Sequence, residues 1–305
     1  MVIRQIVNRA GARVADLRSP DPSVRTLTNA DAPALLALIA RNPLQHAFVQ
    51  QQLDVVDGKI DVLPGARILG RFDDAGTLVA ACWVGANVVP VTSDQGDEAR
   101  EHGEAFGRRI LTSRKRYASI FGPKAGVEGI WSVIKTSPGF PPRSVRLTQP
   151  FMSLEGPPSI EPSGLVRQGY VSDFDAFWPA SVAMFTEELG YSPLDVGEAS
   201  YRARVKQLLA CGHTMLEPGA AGTTVRFKAE LGIVTREATQ IQGVWMHPDQ
   251  RGLGLSASRM AAVVELAQPW APVTTLYVND YNHAARALYE KVGFQTTGTF
   301  ATILL

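Results

Sequence analysis

The stretch that decides the fold is HPDQRGLGLSASRM, from His247 to Met260. Before it, TQIQGVWM (239–246) predicts a strand. After it, apolar residues recur at the spacing of an amphipathic helix: Met260, Val263, Val264 and Ala267. A strand, a glycine turn and a helix in this order point free backbone N–H groups outward at a helix N-terminus, where the helix dipole favours an anion. A turn that only starts a helix is the alternative.

A second strand and helix follow along the chain. TTLYVND (274–280) is rich in β-branched and aromatic residues and predicts a strand. In the next segment, YNHAARALYEKVGF, seven residues separate Asn282 from Tyr289, which is about two helical turns, so both lie on one face. Gly293 ends this helix, and FQTTGTFATILL supplies a last strand.

These two segments resemble the GCN5-related N-acetyltransferase (GNAT) family. R-x-x-G-x-S at Arg251–Ser256 resembles the coenzyme-binding motif of that family, and residues 282–294 resemble its penultimate helix. The close match covers 242–294, and a looser one extends back to Leu165. Ser256 stands where the family usually has Gly or Ala, although a serine is small and donates to phosphate. The resemblance implies acetyl-CoA as cosubstrate and no metal.

The resemblance also implies a role for each motif residue. The backbone of Trp245 and Met246 would pair with the pantetheine arm, although Trp245 is also expected as a core residue. Asn282 would hydrogen-bond the pantetheine, or only cap its helix. Tyr289 would protonate the departing thiolate, and a core tyrosine is the alternative. The amides of the turn would hold the pyrophosphate: Arg251, Gly252, Leu253, Gly254, Leu255 and Ser256.

The general base is not singled out by the sequence. An amine acceptor is largely protonated at neutral pH and must lose a proton before it attacks. Our order of candidates is Glu230, then Glu187, then Glu188. For each of them a solvated surface position is an equally good interpretation, and a water chain that ends at a backbone carbonyl would serve as well.

The two halves of the chain open in the same way. VRTLTNADAPALLAL starts at Val24 and VRQGYVSDFDAFWPA starts at Val166. In both, an aspartate precedes an apolar helix, and these aspartates, Asp31 and Asp173, stand 142 positions apart where a helix N-cap is expected. The predicted fold is therefore two GNAT-like α/β domains, each a mixed, mostly antiparallel sheet flanked by helices.

Proline-rich sequence between residues 138 and 162 suggests the boundary between these domains. We expect an extension over residues 1–22, a first domain over 23–155, a linker over 156–164 and the catalytic domain over 165–305. In the first half, SIFGPKAGVEGIW (119–131) stands where a coenzyme turn is expected, but it lacks the arginine–glycine motif. The first domain is therefore predicted to be a degenerate copy that binds no CoA.

Composition limits the class of protein. The chain has 305 residues, 45% hydrophobic and 19% charged, enough to bury the cores of two domains. Thirty basic and 29 acidic residues leave a net charge of +1, which disfavours nucleic acid as a partner. Cys82 and Cys211 form no disulfide framework, no histidine pair has metal-ligand spacing, and no apolar run would span a bilayer. We expect a cytoplasmic protein that is a monomer or a homodimer and makes no contact with a membrane. The arginine-rich start of the chain is expected to be a docked helix, and a transit peptide is the alternative.

The leading hypothesis for function is an acyl-CoA-dependent N-acetyltransferase. Direct transfer in a ternary complex is expected, because neither cysteine lies in the motifs. The alternative is a non-catalytic acyl-CoA-binding, sensing or interaction module. The tandem layout also resembles that of the mycothiol synthases, two-domain actinobacterial acetyltransferases, and this is a minor alternative. The acceptor is a small-molecule or peptide amine that the sequence does not identify further.

Overall fold

The computed structural model describes residues 21–93, 95–113, 115–195 and 197–305. The predicted extension over residues 1–22 lies outside this range except for its last two residues. The chain divides into two compact units. The first contains the described residues up to Pro150 together with Gly298–Leu305, and the second is Phe151–Thr297.

The first unit is a mixed sheet with helices. Its strands are β1 (Val24–Thr26), β2 (Arg67–Phe72), β3 (Leu78–Val84), β4 (Asn87–Val91) and β5 (Ser119–Pro123). They lie side by side in chain order, and only the β4–β5 pair is parallel. Its helices are α1 (Ala32–Ile39), α2 (Ala47–Asp54), α3 (Asp97–Leu111) and α4 (Lys124–Ile134). The helices α3 and α4 cross where a Cβ at Gly129 would overlap the backbone oxygen of Arg100, so glycine is required there.

The second unit repeats this order of elements. Its strands are β7 (Arg167–Gln168), β8 (Thr214–Pro218), β9 (Val225–Val234), β10 (Ala238–Met246) and β11 (Val273–Tyr277). Again the strands follow chain order, and only the β10–β11 pair is parallel. Its helices are α5 (Phe174–Leu189), α6 (Glu198–Ala210), α7 (Ser256–Ala267) and α8 (His283–Val292). The predicted apolar stripe of α7 is fully buried: Met260, Val263, Val264 and Ala267.

Two long strands contribute to both units. The strand β6 (Ser144–Glu155) begins in the first unit, and its last residues, Phe151–Glu155, pair antiparallel with β11 of the second. The strand β12 (Gln295–Leu304) begins in the second unit, and its end pairs antiparallel with β5 of the first, with Phe300 opposite Pro123.

The division of the chain therefore differs from the expected bounds. It falls within β6 rather than after residue 155, and the last eight residues belong to the first unit. The expected linker, 156–164, is part of the second unit. It is fixed there by backbone hydrogen bonds from Ser159 N–H to the Val292 carbonyl (2.8 Å) and from Ser163 N–H to the Ser258 carbonyl (2.9 Å). Proline marks irregular backbone, but it does not tell which sheet a neighbouring strand joins.

The repeated openings have the same geometry in both units. The Arg25 guanidinium donates two hydrogen bonds to the Asp31 carboxylate, at 2.8 and 2.7 Å, and Arg167 does the same to Asp173 at 2.8 and 2.7 Å. Both aspartates stand at the N-cap position that the sequence predicted, but neither caps its α-helix through the side chain. Each carboxylate instead turns back and accepts the backbone N–H three residues earlier, because its paired arginine lies on that side.

No helix among the described residues is long and apolar enough to cross a membrane.

Candidate functional site

The strand β10 carries a bulge near its end. Gln242 lies opposite Glu230 of β9, whereas Trp245 lies opposite Lys228, so β10 has one residue more than its partner over this interval. Gly243 accommodates the bulge with a φ of +57°, a left-handed conformation that favours glycine. The extra residue turns the Gly243 carbonyl toward the Lys228 ammonium group, which donates to it at 3.1 Å.

A buried ion pair lies beside this bulge. The Lys228 Nζ atom donates to Glu230 Oε1 at 2.6 Å, and both side chains are buried. The same ammonium group lies 3.3 Å from Met184 Sδ on α5 and over the ring of Phe177. Glu230, the first candidate for the general base, is thus neither solvated nor unpaired. Glu187 and Glu188 are exposed, as the surface interpretation expected.

The glycine turn after β10 presents free donors ahead of a helix. Gly252 and Gly254 have φ angles of +75° and +73°, and a Cβ on either would meet no atom within 4 Å. Among the described residues, no backbone group accepts a hydrogen bond from the N–H groups of residues 252–255. The helix α7 begins at Ser256, so its first N–H groups face the same side. This is the backbone geometry of an anion site.

Arg251 is engaged in a way that the sequence does not reveal. Its Nε donates to the Met246 carbonyl at 2.9 Å, and its Nη2 lies 2.8 and 3.0 Å from the two carboxylate oxygens of Glu187. The indole N–H of Trp245 also donates to Glu187, at 3.1 Å. Residues expected in separate roles, Trp245, Met246, Arg251 and Glu187, therefore form one cluster.

The second motif helix carries the other two predicted residues. The Asn282 side chain accepts the Ala285 N–H at 3.2 Å, so it caps α8. Tyr289 is 8% exposed, and its ring packs edge-on against Phe294 at a centroid distance of 6.0 Å. Burial raises the pKa of Tyr289 to about 12, with a further contribution from the negative charge of Glu188. At neutral pH the phenol is therefore protonated, the state that an acid requires.

Two buried cations of the second unit are absent from the sequence prediction. Lys228 lies at the bulge, and Arg259 lies inside the apolar face of α7, bonded to Glu217. Lys228 gave no sequence signal, because it falls on the polar side of the alternation in β9, with Arg226 and Glu230. For Arg259 the signal is a cation next to the apolar stripe of an amphipathic helix. A cation buried at such a position needs a partner.

The first unit has a different connection at the corresponding place. By strand order, the equivalent of the turn after β10 is the connection between β4 and α3, whereas 119–131 lies in β5 and α4, which correspond to β11 and α8. The expectation that a degenerate coenzyme turn falls at residues 119–131 is therefore wrong, since the equivalent connection lies between β4 and α3. Asp97 and Glu98 occupy the first turn of α3, where their charge repels an anion.

Among the described residues there is no group of three or more His, Cys, Asp or Glu side chains that would hold a metal ion.

Family models match two regions of the chain, and one of these regions contains the glycine turn and α8. Residues 213–294 match the acetyltransferase (GNAT) family, and residues 66–177 match a domain of unknown function, DUF4081. No curated protein matches the chain in sequence. The region 213–294 is therefore a GNAT acetyltransferase domain.

Solved structures extend the likeness in fold to most of the chain. A Drosophila protein of known X-ray structure aligns with a TM-score of 0.60 at 11% identity, covering 93% of this chain and 98% of its own. A GCN5-related N-acetyltransferase from Sphaerobacter thermophilus aligns with a TM-score of 0.54 at 15% identity, covering 93% and 96%. At these identities the likeness concerns the fold alone, and the predicted fold class is confirmed.

Proposed function

We propose that this chain is an acyl-CoA-dependent N-acetyltransferase whose second unit transfers an acetyl group directly from acetyl-CoA to an amine. The observation that carries the proposal is the turn over residues 251–256. Its free N–H groups precede α7, and only His247 and a short 3-10 helix, Pro248–Gln250, separate the turn from the bulged end of β10. A diphosphate bound without a metal needs such a set of convergent donors.

The residues present fit the coenzyme. The missing Cβ atoms of Gly252 and Gly254 leave open space through which a phosphate can approach the backbone. The Met246 carbonyl already accepts from Arg251, but a carbonyl oxygen has two lone pairs and can accept from a pantetheine amide as well. Asn282 caps α8 and in that position can also face the pantetheine. Bound acetyl-CoA supplies the thioester that is broken.

The chain's own side chains then serve the transfer of protons. Lys228 holds one oxygen of Glu230 and leaves the other, Oε2, to take the proton from the amine, directly or through a water molecule. A backbone N–H next to the bulge, near Met246, polarises the acyl oxygen. Tyr289 gives its phenolic proton to the sulfur as the new amide forms. Glu187 ranks after Glu230 as the base because Arg251 and Trp245 occupy its carboxylate.

Calorimetric titration of acetyl-CoA tests the coenzyme site. Gly254→Glu places a carboxylate and a strained backbone in the turn, and we expect it to abolish binding. Gly156→Glu is the matched control, because Gly156 also has a positive φ (+80°) and open space around it. One site per chain, lost only in Gly254→Glu, is the expected result. No binding to the wild type would contradict the proposal, and two sites per chain would contradict a silent first unit.

Turnover separates the enzyme from a non-catalytic acyl-CoA-binding module. Thiol release from acetyl-CoA is followed with a panel of small amines, aminoglycosides, amino acids and lysine peptides. The enzyme is expected to acetylate at least one class and to lose kcat in Tyr289→Phe with coenzyme affinity retained. Tight coenzyme binding without turnover on any class would favour the binding module.

A further inference from the structure

A buried, doubly hydrogen-bonded ion pair lies beneath the glycine turn. Arg259 of α7 donates from Nε to Glu217 Oε2 at 2.6 Å and from Nη2 to Oε1 at 2.9 Å. Arg259 is 3% exposed, and Glu217, on β8, is 2% exposed. This guanidinium is therefore fixed in position and orientation by a strand of the sheet.

The same guanidinium contacts both segments that precede the glycines. Its Nη2 donates to Gln250 Oε1 at 3.1 Å, and Gln250 is the residue immediately before Arg251. Its Nη1 lies 3.5 Å from Met246 Sδ, at the last residue of β10. Because Arg259 itself stands in the first turn of α7, it joins the strand, the turn and the helix that frame residues 252–255.

The cluster also carries excess positive charge. Arg226 Nη1 lies 3.8 Å from Glu217 Oε1, so two guanidinium groups share one carboxylate. The three side chains together carry a net charge of +1. Arg259, through its contact with Gln250, brings this positive charge next to a turn whose backbone favours an anion.

Stability alone does not account for this arrangement. A buried ion pair loses so much hydration that an apolar pair of similar volume is often equally stable. The residues that follow Arg259 on α7, Met260 to Val264, are apolar and buried, so an apolar pair in place of Arg259 and Glu217 would suit this core. Such a pair would lack the hydrogen bond to Gln250.

We propose that Arg259 is a positioning residue for the coenzyme turn. Acting through Gln250 and Met246, it holds the N–H groups of residues 252–255 in the geometry that binds a diphosphate. This inference rests on the proposed function, since the diphosphate is that of CoA.

Gln250→Ala is the informative variant, because it removes the link to the turn and leaves the Arg259–Glu217 pair intact. We expect the Kd for CoA to rise about three- to tenfold, the value of one typical intramolecular hydrogen bond, with the unfolding temperature unchanged. Gln295→Ala, at an exposed glutamine in β12 of the same unit, is the control and should change neither quantity.

Arg259→Lys provides a second variant that keeps the charge. A lysine ammonium can pair with Glu217 but lacks the planar fork needed to bond Gln250 at the same time, so CoA affinity should fall as in Gln250→Ala. Unchanged affinity in Gln250→Ala, whatever its unfolding temperature, would overturn the inference. A wild type that does not bind CoA would instead refute the proposed function itself, so the two failures are distinguishable.

Discussion

Replacing Glu187 by glutamine should tighten the binding of CoA. The Glu187 carboxylate holds the Arg251 guanidinium, which at the same time donates to the Met246 carbonyl. Arg251 opens the turn proposed to bind the diphosphate, so we expect its guanidinium to contribute to that binding and a diphosphate to compete with Glu187 for it. Glutamine removes the negative charge but keeps an oxygen for the Trp245 indole, so the local packing is preserved.

The size of this effect follows from the exposure of the pair. The side chains of Arg251 and Glu187 are 46% and 48% exposed. Ion pairs of this kind contribute about 0.2–1 kcal/mol, which corresponds to a Kd for CoA that is about 1.4- to 5-fold lower in Glu187→Gln. The gain should shrink as salt is added, because added salt screens an exposed pair.

Calorimetric titration of CoA at low and high salt measures this gain. Glu188→Gln is the matched control, since it removes the same charge from the adjacent residue of α5. An equal gain in both variants would mean that overall charge, and not the contact with Arg251, sets the affinity. Unchanged or weaker binding by Glu187→Gln would refute competition for Arg251.

Three further outcomes are expected from the structure. The pKa of Tyr289 is raised from 10.0 to about 12 in the folded chain, so its stabilising contribution is complete below about pH 10 and is lost as pH rises toward 12. Between about pH 9 and 11, urea unfolding should therefore show the wild type losing roughly 1 kcal/mol more than Tyr289→Phe, and equal losses would exclude a raised pKa. The pKa of Asp173 is lowered, so Asp173→Asn should reduce the free energy of unfolding by roughly 1 kcal/mol at neutral pH. The difference from wild type should vanish as acid protonates the carboxylate. A difference that stays constant down to about pH 2 would contradict the role of its charge. Gly129→Ala should destabilise the first unit by at least about 2 kcal/mol in thermal unfolding, because the new Cβ would overlap the Arg100 carbonyl oxygen. Gly139→Ala is the control and should be tolerated, because the nearest atom to its Cβ would lie 3.8 Å away.

The part of the site built from consecutive residues could be predicted from the sequence. The turn over residues 251–256 and the helix after it follow from two glycines and an apolar stripe, both of which are local signals. The repeat was equally visible, because Arg25 and Asp31 stand six residues apart, as do Arg167 and Asp173.

Contacts between distant residues could not be predicted in the same way. Glu187 forms an ion pair with Arg251, which lies 64 positions later in the chain, and no pattern in either segment predicts this contact. The bulge had a weak signal, since Gly243 interrupts a strand of larger residues. Arg259 had a clearer signal, a cation next to the apolar stripe of α7, but its partner Glu217 depends on how the strands align. Lys228 had none, because it falls on the polar side of the alternation in β9.

The strand β12, which begins in the second unit and ends in the first, has a consequence for folding during synthesis. One edge of β5 pairs with β12, in which Phe300 lies opposite Pro123 and 177 positions after it. This edge can be paired only after Phe300 has left the ribosome. At about 5–20 residues per second, that interval is roughly 9–35 s. During this time the nascent first unit carries an open strand edge, the feature by which partly made β-proteins associate with one another. The yield of folded chain should therefore fall when synthesis is slowed between the codons for Pro123 and Phe300.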